Sequence, residues 1–441
     1  MVFKGVVVEL IDADKSYKSK KYRYYVLGIF SVTYMFNFVD RQILAILQEP
    51  IKVELGLSDT QLGLLTGFAF AVFYITMGLP IARLADRSNR RNIVASCLGL
   101  WSLMTAVCGL AQSYVQLLFA RMGVGVGEAG CSPPIHSMIS DIFPLKERAS
   151  ALGFYNSGVN VGMLVGFLLG GWLQEYFGWR VALMAVGIPG LLLAVLMRFT
   201  VAEPPRLVHS SAQAKNADQL PSFADTVQLL WSKKTFRLMV LGGSMCAFTG
   251  YCLFSWTPSF LIRSYGLSTG TIGTWLAISI GVGGALGTWA TGYFADKFAA
   301  KDVRWYPWIL VATYGLPLPF VIAMFFSTSG IQALMFFIVP AILLAGYLAP
   351  LITVTHSLVE PGMRAVSSAI VLLMVNLIGL GLGPVSVGML SDYLEPDLGP
   401  ESLRYALFLF TSISLILSMI LFIFSAKYIR VEMVVSERSD H

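Results

Sequence analysis

Apolar runs of about 20 residues recur along almost the whole of this chain, and each is long enough to cross a bilayer as a helix. Of the 441 residues, 56% are hydrophobic and 13% charged, roughly half the charged share of a soluble domain. A membrane β-barrel would instead show alternating segments of about 10 residues, and the sequence has none. The expectation is an all-α polytopic membrane protein. No cleavable signal peptide is expected: residues 1–24 are rich in charge and "GVVVELI" is too short for a signal core. The five cysteines are odd in number, lie in apolar runs and follow no metal-ligand spacing, so neither a disulfide framework nor a metal site is expected. No cofactor is implied. The net charge of +6 does not point to nucleic acid, because its distribution has another explanation.

Spans are expected near 25–47, 60–82, 92–111, 115–139, 149–172, 180–198, 238–262, 268–292, 305–326, 331–355, 365–390 and 404–427. With the N-terminus inside, 25 of the 31 lysines and arginines fall on the cytoplasmic side and 4 in outward loops. Such a bias orients the chain with both termini cytoplasmic, which demands an even number of spans. The domains follow: a cytoplasmic segment 1–24, a six-helix bundle 25–198, a linker 199–236, a second six-helix bundle 237–427 and a tail 428–441. The linker holds "AEPPR" and "HSSAQAKNADQLPS", read as flexible. It ends near "FADTVQLLWSKKTFR", read as a short helix on the membrane surface.

The two bundles read as parallel repeats. Asp86 in "ARLADRSNRR" and Asp296 in "GYFADKFAAK" stand 210 positions apart, each followed by a base, Arg87 and Lys297. Arg148 and Arg364, and likewise Asn160 and Asn376, are 216 apart. The first loop resembles the signature of the major facilitator superfamily, G-x-x-x-D-[RK]-x-G-x-[RK]-[RK]. Ala82, Asp86, Arg87, Asn89, Arg91 and Asn92 stand at its places. Gly292, Asp296 and Lys297 keep its front in the second half. Arg121, Gly125, Gly127 and Ala129 match a second superfamily motif, R-x-x-x-G-x-G-x-A. The strings "VGVGEA", "DIFPLKERASALGFYNSGVNVG" and "FNFVDRQILAILQEPIKVELGLSDTQLGLLTGFAFAVFY" are similar to the Spinster family within it. The resemblance is densest over residues 34–200. It implies alternating access between two bundles, gating roles for Asp86, Arg87, Arg91, Asp296 and Lys297, and lipid-like cargo of the sphingoid phosphate or lysolipid type. A bacterial inner-membrane member is the expectation.

An ionisable side chain inside a span is expensive unless paired or facing water, so it marks function first. Arg121 and Glu128 lie two turns apart on one helix face, roughly 10 Å along the axis and too far for a direct bond. "NFVDRQ" supplies Asn37, Asp40 and Arg41 in another span. The depths suggest an Asp40–Arg121 pair with Arg41 beside it, and no obvious cation for Glu128. Static ionic glue is the alternative. A carboxylate in an apolar cavity favours its neutral form and can exchange a proton near neutral pH, which nominates Glu128, then Asp40, for proton coupling. Arg121, Arg41 and Asn37 would hold an anionic head group. In the second half, Tyr251, Ser255, Trp256, Tyr347 and Asn376 offer an aromatic surface for an apolar tail, although ordinary core packing would also explain them. Glycines at 158, 162, 166 and 170 should let a neighbouring helix approach closely.

No nucleotide-binding string and no nucleophile–base constellation appears, so neither ATP drive nor an enzyme is expected. The reading is a proton-coupled, monomeric secondary transporter of an amphipathic anion, surrounded by membrane lipids. Rival readings are a carrier of small organic anions or sugar phosphates, a drug/proton antiporter, and a non-transporting receptor.

Overall fold

The computed structural model describes Tyr17, 19–206 and 223–439. Most of the expected segment 1–24, the middle of the linker at 207–222, and residues 440 and 441 of the tail lie outside the described residues. Among the described residues every regular element is helical and there is no strand. In chain order these are α1 (Lys20–Leu55), α2 (Asp59–Arg87), α3 (Arg90–Cys108), α4 (Tyr114–Ala129), α5 (Ser132–Ile142) and α6 (Leu145–Thr200). They continue with α7 (Phe223–Ser232), α8 (Lys234–Tyr265), α9 (Thr269–Ala299), α10 (Trp305–Phe325) and α11 (Gly330–Ser357). The run Arg364–Val375, Asn376–Leu382 and Gly383–Leu398 forms α12, and Ser402–Ser439 forms α13.

Eight helical stretches among the described residues are long and apolar enough to cross a membrane. Neither α1 nor α4, which carry the interior charges, is among them. The 56-residue α6 is not one straight rod: Gly178 breaks it with φ 82°, a left-handed value costly for other residues. That break falls between the expected segments 149–172 and 180–198. The short helix expected from "FADTVQLLWS" is α7.

The chain divides into two compact units. One is drawn from Met1–Gly56 and Ala69–Ser211, the other from Leu57–Phe68 and Ala212–His441. In the first, the glycine stripe of α6 meets α1. A Cβ at Gly158 would stand 2.7 Å from the Ser31 carbonyl oxygen, and one at Gly162 2.5 Å from that of Met35. Glycine there lets the two backbones touch, and so fixes the helix that carries Asn37, Asp40 and Arg41. The motif glycines of α4 do the same work. A Cβ at Gly125 would stand 2.9 Å from the Phe70 carbonyl oxygen, and one at Gly127 2.7 Å from the Trp101 nitrogen.

Both repeats are jointed alike. Gly56 ends α1 and Gly266 ends α8, each at φ 64°, where the backbone N–H can return to close the helix end. Two residues on, Ser58 caps the next helix by accepting from Gln61 N, and Ser268 by accepting from Thr271 N. This "G-L-S" joint is a further pair of matching features 210 positions apart.

Candidate functional site

Within the first unit, α1, α2 and α4 gather two acids and two arginines. Arg41 Nε donates to Glu128 Oε2 at 2.7 Å, with the two side chains 14% and 0% exposed. The guanidinium of Arg41 also lies against three rings: Phe38 at 5.1 Å, Phe70 at 4.9 Å and Tyr74 at 4.9 Å. Arg121 faces Phe70 from 5.4 Å. A cation over aromatic faces is stabilised without a second counter-ion, which is how two arginines persist in so apolar a setting. Asn37, Asp40, Arg121 and Glu128 are all buried. Asp40 Oδ1, Arg121 Nε and Glu128 Oε1 are buried with no hydrogen-bond partner. Buried polar atoms left unpaired are rare in folded proteins, so three in one cluster leave it with unused bonding capacity.

The geometry corrects one expectation. The ion pair is Arg41–Glu128, not Asp40–Arg121. Counting depth along each helix gave Glu128 no cation, because it ignored the reach of arginine. Its long side chain runs several ångströms along the helix and brings its charge to a carboxylate at another level.

The candidates of the second unit are placed less uniformly. Trp256 is fully buried and its indole N–H donates to the Pro384 carbonyl oxygen at 2.9 Å, so its polar atom is used in tying α8 to α12. Asn376 opens a π-helical turn and donates to the Leu372 carbonyl oxygen of its own helix at 2.8 Å. Ser255 is buried, while Tyr251 and Tyr347 are half-buried.

Comparison with known proteins agrees with this picture. Residues 30–384 match the Major Facilitator Superfamily. The chain belongs to that superfamily. An "MFS-type efflux pump" of Mycolicibacterium smegmatis is 34% identical over 92% of this chain and 93% of its own length. A "probable L-galactonate transporter" of Escherichia coli is 31% identical over 59% of this chain and 58% of its own. Among solved structures, a bacterial homolog of the human lysosomal transporter Spinster, inward-facing and unoccupied, superposes with a TM-score of 0.80. It is 32% identical, covering 95% of this chain and 98% of that one. The family is one of membrane transporters and not of enzymes, and the Spinster resemblance holds along nearly the whole chain.

The superfamily's signature loop, between α2 and α3, has partners that the sequence did not reveal. Asp86 and Arg87 are exposed, but Arg90 and Arg91 are buried. Arg90 donates to Asp141 at 2.5 Å, to Glu203 at 2.8 Å and to the Pro204 carbonyl oxygen at 3.0 Å. Arg91 donates from its backbone to Glu203 at 2.8 Å and from its guanidinium to the Val201 carbonyl oxygen at 3.1 Å. Arg206 in turn donates to the carbonyl oxygens of Ala85, Asp86 and Ser88, where α2 ends and the loop begins. The sequence alone places "AEPPR" in a flexible linker. Residues 201–206 are instead an extended strap bonded across this loop. The available signal was charge: one acid and one base on either side of two prolines, opposite a run of arginines. In the second half the motif positions themselves make fewer bonds. Asp296 accepts from the Tyr306 hydroxyl at 3.2 Å, and Lys297 lies 5.7 Å from the Tyr293 ring.

A second cluster missed by sequence reading belongs to the second unit. Asp59, at the start of α2, takes both guanidinium nitrogens of Arg263 at 2.7 Å each and accepts from Ser391 at 2.6 Å. Asp392 accepts from the backbone N–H groups of Asp59 and Thr60 at 2.8 Å each. Asp59 lies in the capping sequence "SDTQ", where an acid is unremarkable, so nothing in the sequence singled it out.

Proposed function

We propose that this chain is a proton-coupled secondary transporter of an amphipathic anion, crossing the membrane twelve times with both termini cytoplasmic, in a bacterial inner membrane. It would work by alternating access, with Asp86, Arg87, Arg91, Asp296 and Lys297 in the gating loops. The observation that carries this reading is the buried group of Asp40, Arg41, Arg121 and Glu128, with an acid oxygen unpaired on both Asp40 and Glu128. An arginine bound to a carboxylate in an apolar site can change partners. An incoming anionic head group takes Arg41 and Arg121 by charge-assisted hydrogen bonds. Glu128, released from its cation and still buried, is then driven to take up a proton. Asp40 is the second proton site. Anion and proton therefore load together, and neither charge is left bare in the apolar interior. Phe38, Phe70 and Tyr74, which already surround Arg41, offer apolar surface beside the head group. The resemblance to the Spinster family favours a lipid-like anion, a sphingoid phosphate or lysolipid. A second reading, a small sugar-acid anion on the same arginines, is favoured by the likeness to a galactonate transporter.

The test is proteoliposome transport with and without a pH gradient, using lysolipids, sphingoid phosphates and sugar acids as cargo. Glu128→Gln keeps the shape but cannot titrate. It should abolish gradient-driven accumulation while leaving exchange at equal pH. Full gradient-driven transport by this variant would refute Glu128 as the proton carrier. Arg121→Lys keeps the charge but loses the planar fork, and wild-type transport by it would refute the anion clamp.

A further inference from the structure

The loop between α9 and α10 carries a group of side chains that the transport reading does not use. Asp302 lies between two arginines. Arg304 Nε donates to its Oδ2 at 2.9 Å, and the Arg304 backbone N–H donates to Oδ1 at 3.0 Å. Arg430, from α13, donates to Oδ1 at 3.1 Å and to Oδ2 at 2.7 Å. The acid is the sheltered member: its side chain is 17% exposed, against 45% for Arg304 and 57% for Arg430. One carboxylate thus orients two guanidinium groups while their outer N–H donors face away from it. Hydrogen bonds from the Arg304 side chain and backbone hold the Asp302 carboxyl down at about 2, so this arrangement is fully charged at ordinary pH.

Beside the arginines is a groove of about 550 Å³ lined by Asp302, Arg304, Trp305, Trp308, Val311 and Ala312. Its polar end is Arg304 with Asp302, the carboxylate to which Arg430 is also bonded. Its apolar end climbs α10 along Trp308, Val311 and Ala312, which share a helix face by their spacing. Trp305 and Trp308 are both exposed, as tryptophans are where a helix passes through the head-group layer of a bilayer. A cationic end, an aromatic collar and an apolar track have the order of a phospholipid: phosphate, glycerol, acyl chain. A free phosphate would use only the first of these.

We propose that Arg304 and Arg430, braced by Asp302, bind the phosphodiester of an anionic phospholipid whose acyl chain lies along Trp308, Val311 and Ala312. By the distribution of positive charge, this loop belongs to the cytoplasmic leaflet. The site is independent of the transported cargo and holds a resident lipid.

The experiment is native mass spectrometry of the full chain released from nanodiscs of equal phosphatidylglycerol and phosphatidylcholine. Wild type should retain phosphatidylglycerol preferentially. Arg304→Gln/Arg430→Gln should reduce that preference roughly 30-fold, about fivefold for each basic residue at a membrane surface. Arg304→Lys/Arg430→Lys, which keeps both charges, should fall between the two. All three proteins should melt at the same temperature in phosphatidylcholine alone, which separates lost binding from lost folding. Glycerol 3-phosphate and inorganic phosphate, added at millimolar concentration, should not displace the lipid. Equal retention of both lipids by wild type, an undiminished preference in the glutamine variant, or displacement by free phosphate would each overturn the proposal.

Discussion

The two units differ in where they keep their charges. In the first, four ionisable groups from α1 and α4 lie in the interior, with Arg41 paired to Glu128 and acid oxygens left unbonded. In the second, the helix interiors are packed by Trp256, Phe260, Tyr314 and Phe422, and the ion pairs each involve a helix end or a loop: Asp59–Arg263, Arg404–Glu401, Arg304–Asp302 and Arg430–Asp302. The same repeat has thus been put to two uses. A buried charge with a complete set of partners is a fixture, whereas one with unused bonding capacity can exchange partners. By that criterion Asp59 is a fixture, whereas Glu128 has an oxygen left over for exchange, although both are almost fully buried.

The sharpest way to test this contrast is to remove one partner from the fully bonded group. Asp59→Asn should cost about 3–5 kcal/mol, because it leaves the buried Arg263 without its counter-ion. The melting temperature of the purified protein would report it. Glu128→Gln, equally buried, should cost clearly less, since the guanidinium of Arg41 is also held by three rings. If Glu128→Gln destabilises as much as Asp59→Asn, the group in the first unit is static glue and the contrast fails.

Arg90 tests the strap. It is 4% exposed on its side chain and holds Asp141 and Glu203 at once. Arg90→Gln should destabilise by about 2–4 kcal/mol, the range for breaking a buried ionic network. It should also free residues 201–206, which backbone amide exchange would detect as faster exchange at Ala202 and Glu203. Unchanged exchange there would mean that Arg91, Arg206 and the Tyr17 and Tyr22 hydroxyls hold the strap without Arg90.

These clusters also mark what could be read from sequence. The helical segments were legible because hydropathy acts locally and every span must satisfy its own backbone. The glycine stripe was legible too, because a four-residue spacing identifies a face, and Gly158 and Gly162 do meet α1 closely. Pairing was not legible. Asp40 and Arg41 are adjacent in sequence, and their helix directs the arginine to Glu128 and leaves Asp40 Oδ1 unbonded. Asp59 and Arg263 are separated by 204 residues, and neither sits in a pattern that names the other. Composition and period define which face is buried; they do not define which charge meets which.

Gly162→Val is a smaller perturbation. Its Cβ would meet the Met35 carbonyl oxygen at 2.5 Å and the Phe38 Cβ at 2.7 Å. Backbone cannot swing aside as a side chain can, so α1 and α6 must separate by some tenths of an ångström, at about 1–3 kcal/mol. That shift would also move Arg41 relative to Glu128. Gradient-driven transport should therefore fall further than the lowered melting temperature alone explains, while Gly153→Val, which has nothing within 4 Å, should change neither.

The smallest effect should come from the second copy of the signature loop. Asp296 occupies the place of Asp86, but it is exposed and its carboxylate accepts from a tyrosine hydroxyl at 3.2 Å. Solvent screens an exposed carboxylate, and losing one such contact rarely moves stability by more than about 0.5 kcal/mol. Asp296→Asn should leave the melting temperature essentially unchanged. Asp86 is exposed as well, yet its backbone is tied to Arg206 and so to the strap. Asp86→Asn should likewise spare stability, because the tie runs through the carbonyl oxygen and not the carboxylate. The two variants should separate in transport rate and not in melting. If the loops are gates of unequal weight, Asp86→Asn slows transport more than Asp296→Asn does, since only at Asp86 is the motif acid itself bonded to the strap. Equal slowing would mean that the carboxylates act alone and the strap adds nothing to the gate.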